Sequence, residues 1–131
     1  HGFLSYLVKC CLKGKLYKVY GFKGKQVRDN IHSSDIVNMI WEFIKKPSKG
    51  EVYNVGGGKQ NSCSILEAIN LIEKITKKKM NYKILKQNRI GDHTWYITDL
   101  RKFKKKYHKW KIQYSLKKII SEIVLEQTKF K

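Results

Sequence analysis

The sequence has 131 residues, 41% hydrophobic and 30% charged, enough apolar content for one modest core and too much for a disordered chain. Lysine and arginine number 29 against 10 acidic residues, a formal net charge of +19. No run of 18 apolar residues occurs, which excludes a membrane-spanning helix.

Phe3 to Leu12 places Phe3, Leu4, Leu7, Val8 and Cys11 at helical spacing, and Gly14 supplies a stop. Leu16 to Tyr20 alternates like a short strand, "GFKGK" is a glycine turn, and Gln26 to His32 reads as extended. Ser33-Ser34-Asp35 offers an N-cap for a helix from Ile36 to Lys46, ended by Pro47 and Gly50. Glu51 to Val55 reads as a strand running into "GGGKQNS". Ser64 and Glu67 form a capping box that opens a helix through Ile75. Met80 to Leu85 is a strand, Asn88 onward a polar loop, and Asp99 to Tyr107 a short basic helix. "WKIQY" is extended, and Ser115 caps a last amphipathic helix from Leu116 to about Leu125. Alternating strands and helices are the α/β pattern, and residues 1–131 read as a single unit.

The lysines lie in several clusters, and lysine outnumbers arginine 26 to 3. Readers of nucleic acid rely on the planar arginine fork at bases and phosphates, so this charge is read as compositional drift carried on solvated faces. A basic nucleic-acid-binding module stays open as an alternative. Cys10, Cys11 and Cys63 form no C-x-x-C pair, so no metal site is expected, and they read as reduced, buried thiols of a cytoplasmic protein. "HGFLSYLVKC" has neither an initiator Met nor the features of a signal peptide, and the chain is read as a fragment whose N-terminal part is missing.

"VGGGKQNS" fails as a phosphate loop, because Tyr53 and Gln60 stand where Gly and Ser/Thr are required, and Asn61 breaks a dinucleotide fingerprint. His32 and His93 have no second ligand at metal spacing and read as hydrogen-bonding structural groups. Arg28 and Arg89 are more informative. Each sits in a turn-rich stretch with an acidic residue nearby, Asp29 or Asp92. Two guanidinium forks fit a pyrophosphate, and a structural Arg–Asp pair in a turn is the competing reading.

Three stretches, "YGFKGKQVRDNIHSSDIV", "EVYNVGGG…SCSILEAI" and "NRIGDHTWYITDLRKF", together resemble the C-terminal portion of extended short-chain dehydrogenase/reductases acting on nucleotide sugars. Within that family the likeness is to the CDP-paratose 2-epimerase subfamily. The resemblance implies an α/β fold, the substrate-binding part of a Rossmann-type enzyme lacking most of its parallel nucleotide-binding sheet. It implies that Arg28 and Arg89 contact a substrate diphosphate, that Tyr20 packs on the base with Lys18 and Val19 alongside, and that Tyr96 contacts the nucleotide sugar. Asp92 is expected to orient Arg89 or bond a hydroxyl, and Gln26 is a further substrate-binding candidate.

The implied substrate is a nucleotide-diphosphate sugar, a CDP-sugar above others, and the implied activity is an NAD-dependent epimerase, an isomerase. The glycine-rich dinucleotide loop and the Tyr-x-x-x-Lys pair of the family are absent, so NAD binding and catalysis are expected outside this chain, which alone should be inactive. Expected partners are the missing N-terminal domain or a complementing chain, and a second copy in a homodimer, with no membrane and no nucleic acid. An inactive remnant is the remaining alternative. Cut from its nucleotide-binding lobe, the chain is expected to leave Trp41, Phe43, Tyr53 and Val55 without packing partners.

Overall fold

The computed structural model describes residues 2–88 and 90–129, and contains five helices and five short strands among them. Helix α1 (Phe3–Lys13) ends at Gly14, whose φ of 63° is the left-handed conformation that closes a helix without a Cβ penalty. Strand β1 (Tyr17–Tyr20) follows, then a 3-10 turn at Phe22–Gly24 and strand β2 (Val27–Asp29). Helix α2 (Ser33–Lys45) leads through an irregular segment to β3 (Ser62–Ser64) and α3 (Ile65–Thr76). The capping box at Ser64 and Glu67 is present as expected. Strands β4 (Tyr82–Leu85) and β5 (Trp95–Tyr96), then α4 (Arg101–Lys106) and α5 (Leu116–Lys129), complete the chain.

The strands form two small sheets. β1 pairs in parallel with β4, Tyr17 opposite Tyr82 and Tyr20 opposite Leu85. β2 is the centre of the other sheet, antiparallel to β3 and parallel to β5, with Arg28 opposite Cys63 on one side and Tyr96 on the other. The parallel sheet is therefore small, as expected for the C-terminal part of a Rossmann-type α/β fold.

The main core lies between α1, α3 and α5. Leu7, Val8, Ile72 and Ile120 are completely buried there, with Val19 of β1 packed against them. Each contributes about 1.5–3 kcal/mol by leaving water. A second, aromatic cluster joins Met39 of α2 to Leu100, Phe103, Tyr107 and Trp110. Asp35 is fully buried beside it and accepts from the backbone N–H groups of Gln113 and Tyr114, while its carbonyl accepts from Trp110 Nε1. One carboxylate thus ties the start of α2 to the segment before α5.

Several expectations are corrected. Glu51–Val55 is not a strand; it has no neighbouring strand to pair with among the described residues, and Val52 and Val55 are exposed. β3 and β5 arise where turns were read, because their ladder partners in β2 are distant in sequence. The α2 cap is His32 rather than Ser33-Ser34-Asp35: its Nδ1 accepts from Ser34 N at 3.1 Å, and Asp35 is buried inside the helix. Phe43 and Tyr53 do find packing partners, with ring centroids 6.3 Å apart and Tyr53 edge-on to Phe103 at 5.4 Å. Trp41 and Val55 remain exposed at 56% and 49%.

Candidate functional site

Alternation along β1 turns Val19 into the core and leaves Lys18 exposed on the other side. Tyr17, Val19 and Tyr20 form one wall of a cleft of about 330 Å³. Gln26 and Arg28, two residues apart and so on one side of the extended backbone, form a second wall. Asp92 also lines it, and Phe3 and Ile65, the first residues of α1 and α3, supply apolar surface. Helix α1 starts there with no side-chain cap and no acidic residue in its first turn, so its own first turn does not compensate the positive end of its dipole.

Arg28 is held in place from three directions. Nη1 donates to the carbonyl of Val27 at 2.6 Å, and Nη2 donates to the carbonyl of His93 and to Asp92 Oδ1. The side chains of Arg28 and Asp92 are 25% and 23% exposed, so the ion pair is half-buried and faces the cleft. Asp92 therefore orients Arg28; the expected roles of Asp92, orienting Arg89 or bonding a ligand hydroxyl, involve groups outside the described residues. Arg89 itself lies outside the described residues.

Asp29, the acidic neighbour of Arg28 in sequence, points elsewhere. Its Oδ2 accepts from the backbone N–H groups of Gly58 at 2.8 Å and Thr98 at 3.2 Å. The glycine loop is thus tied to a carboxylate of its own chain. A Cβ on Gly57 would overlap the carbonyl of Asn30, and one on Gly56 would overlap Thr98 and Asp29. These glycines serve close internal packing, not a phosphate cradle. Gly56–Gly58 lead into a 3-10 turn and β3, not directly into a helix, and the described residues hold no group of three or more His, Cys, Asp or Glu able to hold a metal.

The structure therefore brings together Val19, Tyr20, Gln26, Arg28 and Asp92, and leaves Lys18 and Tyr96 outside the cleft lining. Tyr96 is exposed, its ring edge-on to His93 at 6.2 Å. His32 is structural: its ring stacks on Tyr114 at 3.9 Å and Nε2 lies 3.0 Å from Glu122. Phe3, Tyr17 and Ile65 were not singled out as site residues from the sequence. Phe3 and Ile65 resemble core positions in the helical period, and no local motif marks a helix's first residue as a cleft wall. On β3, opposite Arg28, burial and the nearby Glu67 charge push the Cys63 thiol up to about 11.

The profile of the NAD dependent epimerase/dehydratase family matches residues 1–56. CDP-paratose 2-epimerase of Salmonella typhi is 33% identical over 81 residues, 60% of this chain and 24% of that protein. The structure of UDP-glucose 4-epimerase with UDP-glucose from Thermotoga maritima superposes with a TM-score of 0.81 at 26% identity, covering 98% of this chain and 40% of that one. MoeE5 in complex with UDP-glucuronic acid and NAD superposes with a TM-score of 0.86 at 22% identity, covering 99% and 42%. The chain resembles nucleotide-sugar epimerases and dehydratases and has the fold of part of them. It spans about a quarter of the curated relative and about two fifths of the solved structures.

Proposed function

We propose that this chain is the nucleotide-sugar-binding part of an NAD-dependent epimerase resembling CDP-paratose 2-epimerase. The observation that carries this reading is the convergence of Val19, Tyr20, Gln26, Arg28 and Asp92, five of the residues the family resemblance implies, on one cleft. Arg28 supplies a guanidinium of fixed orientation for a diphosphate, which a lysine ammonium would meet only as a point charge. The uncapped start of α1 adds a second source of positive potential. Tyr20 and Tyr17 offer flat surface for a base. Arg89 and Tyr96 are proposed to reach the ligand from the loop between β4 and β5.

NAD is bound in the MoeE5 complex. The glycine loop is tied to Asp29 and the sequence lacks the glycine-rich dinucleotide pattern, so the hydride chemistry is assigned to protein outside residues 1–131, and this chain's part is binding and orientation. Helix α2 supports a docking role for that remainder. Val37, Ile40, Trp41 and Ile44, spaced as one helical stripe, are each more than half exposed.

Titration of the chain with CDP and with a DNA duplex, each at two salt concentrations, tests the reading. CDP is expected to bind with weak salt dependence, whereas a nucleic-acid module would bind the duplex and lose affinity steeply with salt. Duplex binding without CDP binding would replace this proposal with the basic-module alternative.

A further inference from the structure

Strand β4 has a neighbour on one side only. It pairs with β1, and no strand among the described residues lies along its other edge. The ladder shows which groups this leaves open. Tyr17 N donates to the carbonyl of Asn81 at 2.8 Å, and Gly21 N to that of Leu85 at 3.4 Å. In a parallel ladder alternate residues face the partner strand, so Asn81, Lys83 and Leu85 turn their main-chain groups to β1. Tyr82 and Ile84 turn theirs outward, off the sheet. Their side chains are 40% and 43% exposed, so the apolar flank of this edge is open as well. No residue of β4 lines the cleft between β1 and β2, so this edge is separate from it.

The charge around the edge is mostly of one sign. Lys18 and Lys83 lie opposite each other in the ladder and so share a face. Lys77, Lys78 and Lys79 lead into the strand, and Lys86 follows it. Lys79 pairs with Glu73, and Lys78 Nζ donates to the carbonyl of Leu12. Lys18, Lys77, Lys83 and Lys86 have no carboxylate partner among the described residues. A second copy of this chain would bring the same lysines to the edge, and like charges there oppose pairing.

We propose that the outer edge of β4 docks an extended acidic segment of another protein, one alternating glutamate or aspartate with apolar residues. The segment adds as a third strand, its main chain bonding the outward groups of Tyr82 and Ile84. Alternation then sets its carboxylates on the face of Lys18 and Lys83 and its apolar side chains beside Tyr82 and Ile84. A two-stranded sheet is marginal by itself, and a third strand stabilises it. Nucleic acid fits less well, since its phosphates would use the lysines and make no use of the open main-chain groups.

The experiment is fluorescence anisotropy of the full chain with a short capped peptide alternating glutamate and valine. Comparison ligands are the same peptide with lysine for glutamate, the glutamate peptide N-methylated throughout, and a single-stranded oligonucleotide. The glutamate peptide should bind at least about tenfold more tightly than each of these. On binding, the amide protons of Tyr82 and Ile84 should become protected from exchange. Lys83→Glu, at an exposed position, should weaken the glutamate peptide about fivefold. Ile84→Pro removes an outward N–H and leaves the ladder with β1 intact, and should abolish binding. Equal binding of the N-methylated peptide, tighter binding of the oligonucleotide, or unprotected Tyr82 and Ile84 amides would overturn the proposal. So would a dimer of the chain that Ile84→Pro dissolves, which would give the edge to a second copy. If Ile84→Pro fails to fold, Lys83→Glu and amide exchange in the unaltered chain decide.

Discussion

Arg28 and Asp92, 64 residues apart in sequence, meet as an ion pair in the wall of the cleft. Asp92 fixes the guanidinium but also sets a negative charge beside any anion that Arg28 receives. The two roles separate by substitution. Asp92→Asn keeps an acceptor for Arg28 and removes the charge, so CDP should bind about two- to fivefold more tightly, the value of a partly exposed charge contact. Asp92→Ala removes the orientation as well and should weaken binding. Arg28→Lys should cost about tenfold or more, since one ammonium cannot replace the fork held by Val27, His93 and Asp92. Isothermal titration of the three variants with CDP measures all of these.

Asp35 predicts a stability effect far from the cleft. Asp35→Ala removes a fully buried carboxylate and strips the partners from the part-buried N–H groups of Gln113 and Tyr114, and should cost about 3 kcal/mol. A drop of roughly 10 °C in thermal melting would match that loss. Asp35→Asn retains one acceptor oxygen and should fall between the variant and the unaltered chain. A melt unchanged by Asp35→Ala would mean that α2 is not anchored through this carboxylate.

The Cys63 thiol gives an alkaline prediction. Its folded pKa is raised to about 11, chiefly by burial, so the unfolded thiol ionises first as pH rises. Stability from this group is complete below the unfolded value of about 8.5. It is lost between there and about 11. Chemical denaturation across that range should show a decline that Cys63→Ala reduces. Alkylation of Cys63 at pH 8 should be slow and should speed up in mild denaturant.

Exposure on α2 has a direct test. Met39 is buried, while Ile40 and Ile44 on the next face are more than half exposed. Replacing both isoleucines with lysine should change stability by no more than about 0.5 kcal/mol each. The same pair should reduce binding of a hydrophobic dye, and Met39→Lys should unfold the chain. If the double lysine variant itself unfolds, the stripe is core, and the proposed docking face is lost.

Much of this architecture could be read from local signals. The Ser64–Glu67 box, Gly14 and the apolar periods of α1, α3 and α5 set helix positions because each acts within a turn or two of chain. β3 and β5 could not be read that way, since three- and two-residue strands exist only through their ladder with β2. Glu51–Val55 had a strand's composition and lacked a neighbour. Arg28 was legible as one arginine among lysines, but its partner was not. The adjacent Asp29 suggested itself, and β2's alternation sends that carboxylate to Gly58 and Thr98 instead. Phe3 and Ile65 gave no sign at all of lining a cleft.

Amide chemical-shift mapping by NMR during CDP titration asks whether the cleft between β1 and β2 holds a nucleoside diphosphate. Saturable shifts centred on Phe3, Tyr17, Tyr20, Gln26, Arg28 and Asp92 are expected, absent in Arg28→Lys at the same CDP concentration. Shifts scattered over the lysine-rich surfaces of α4 and α5, with the cleft silent, would contradict it.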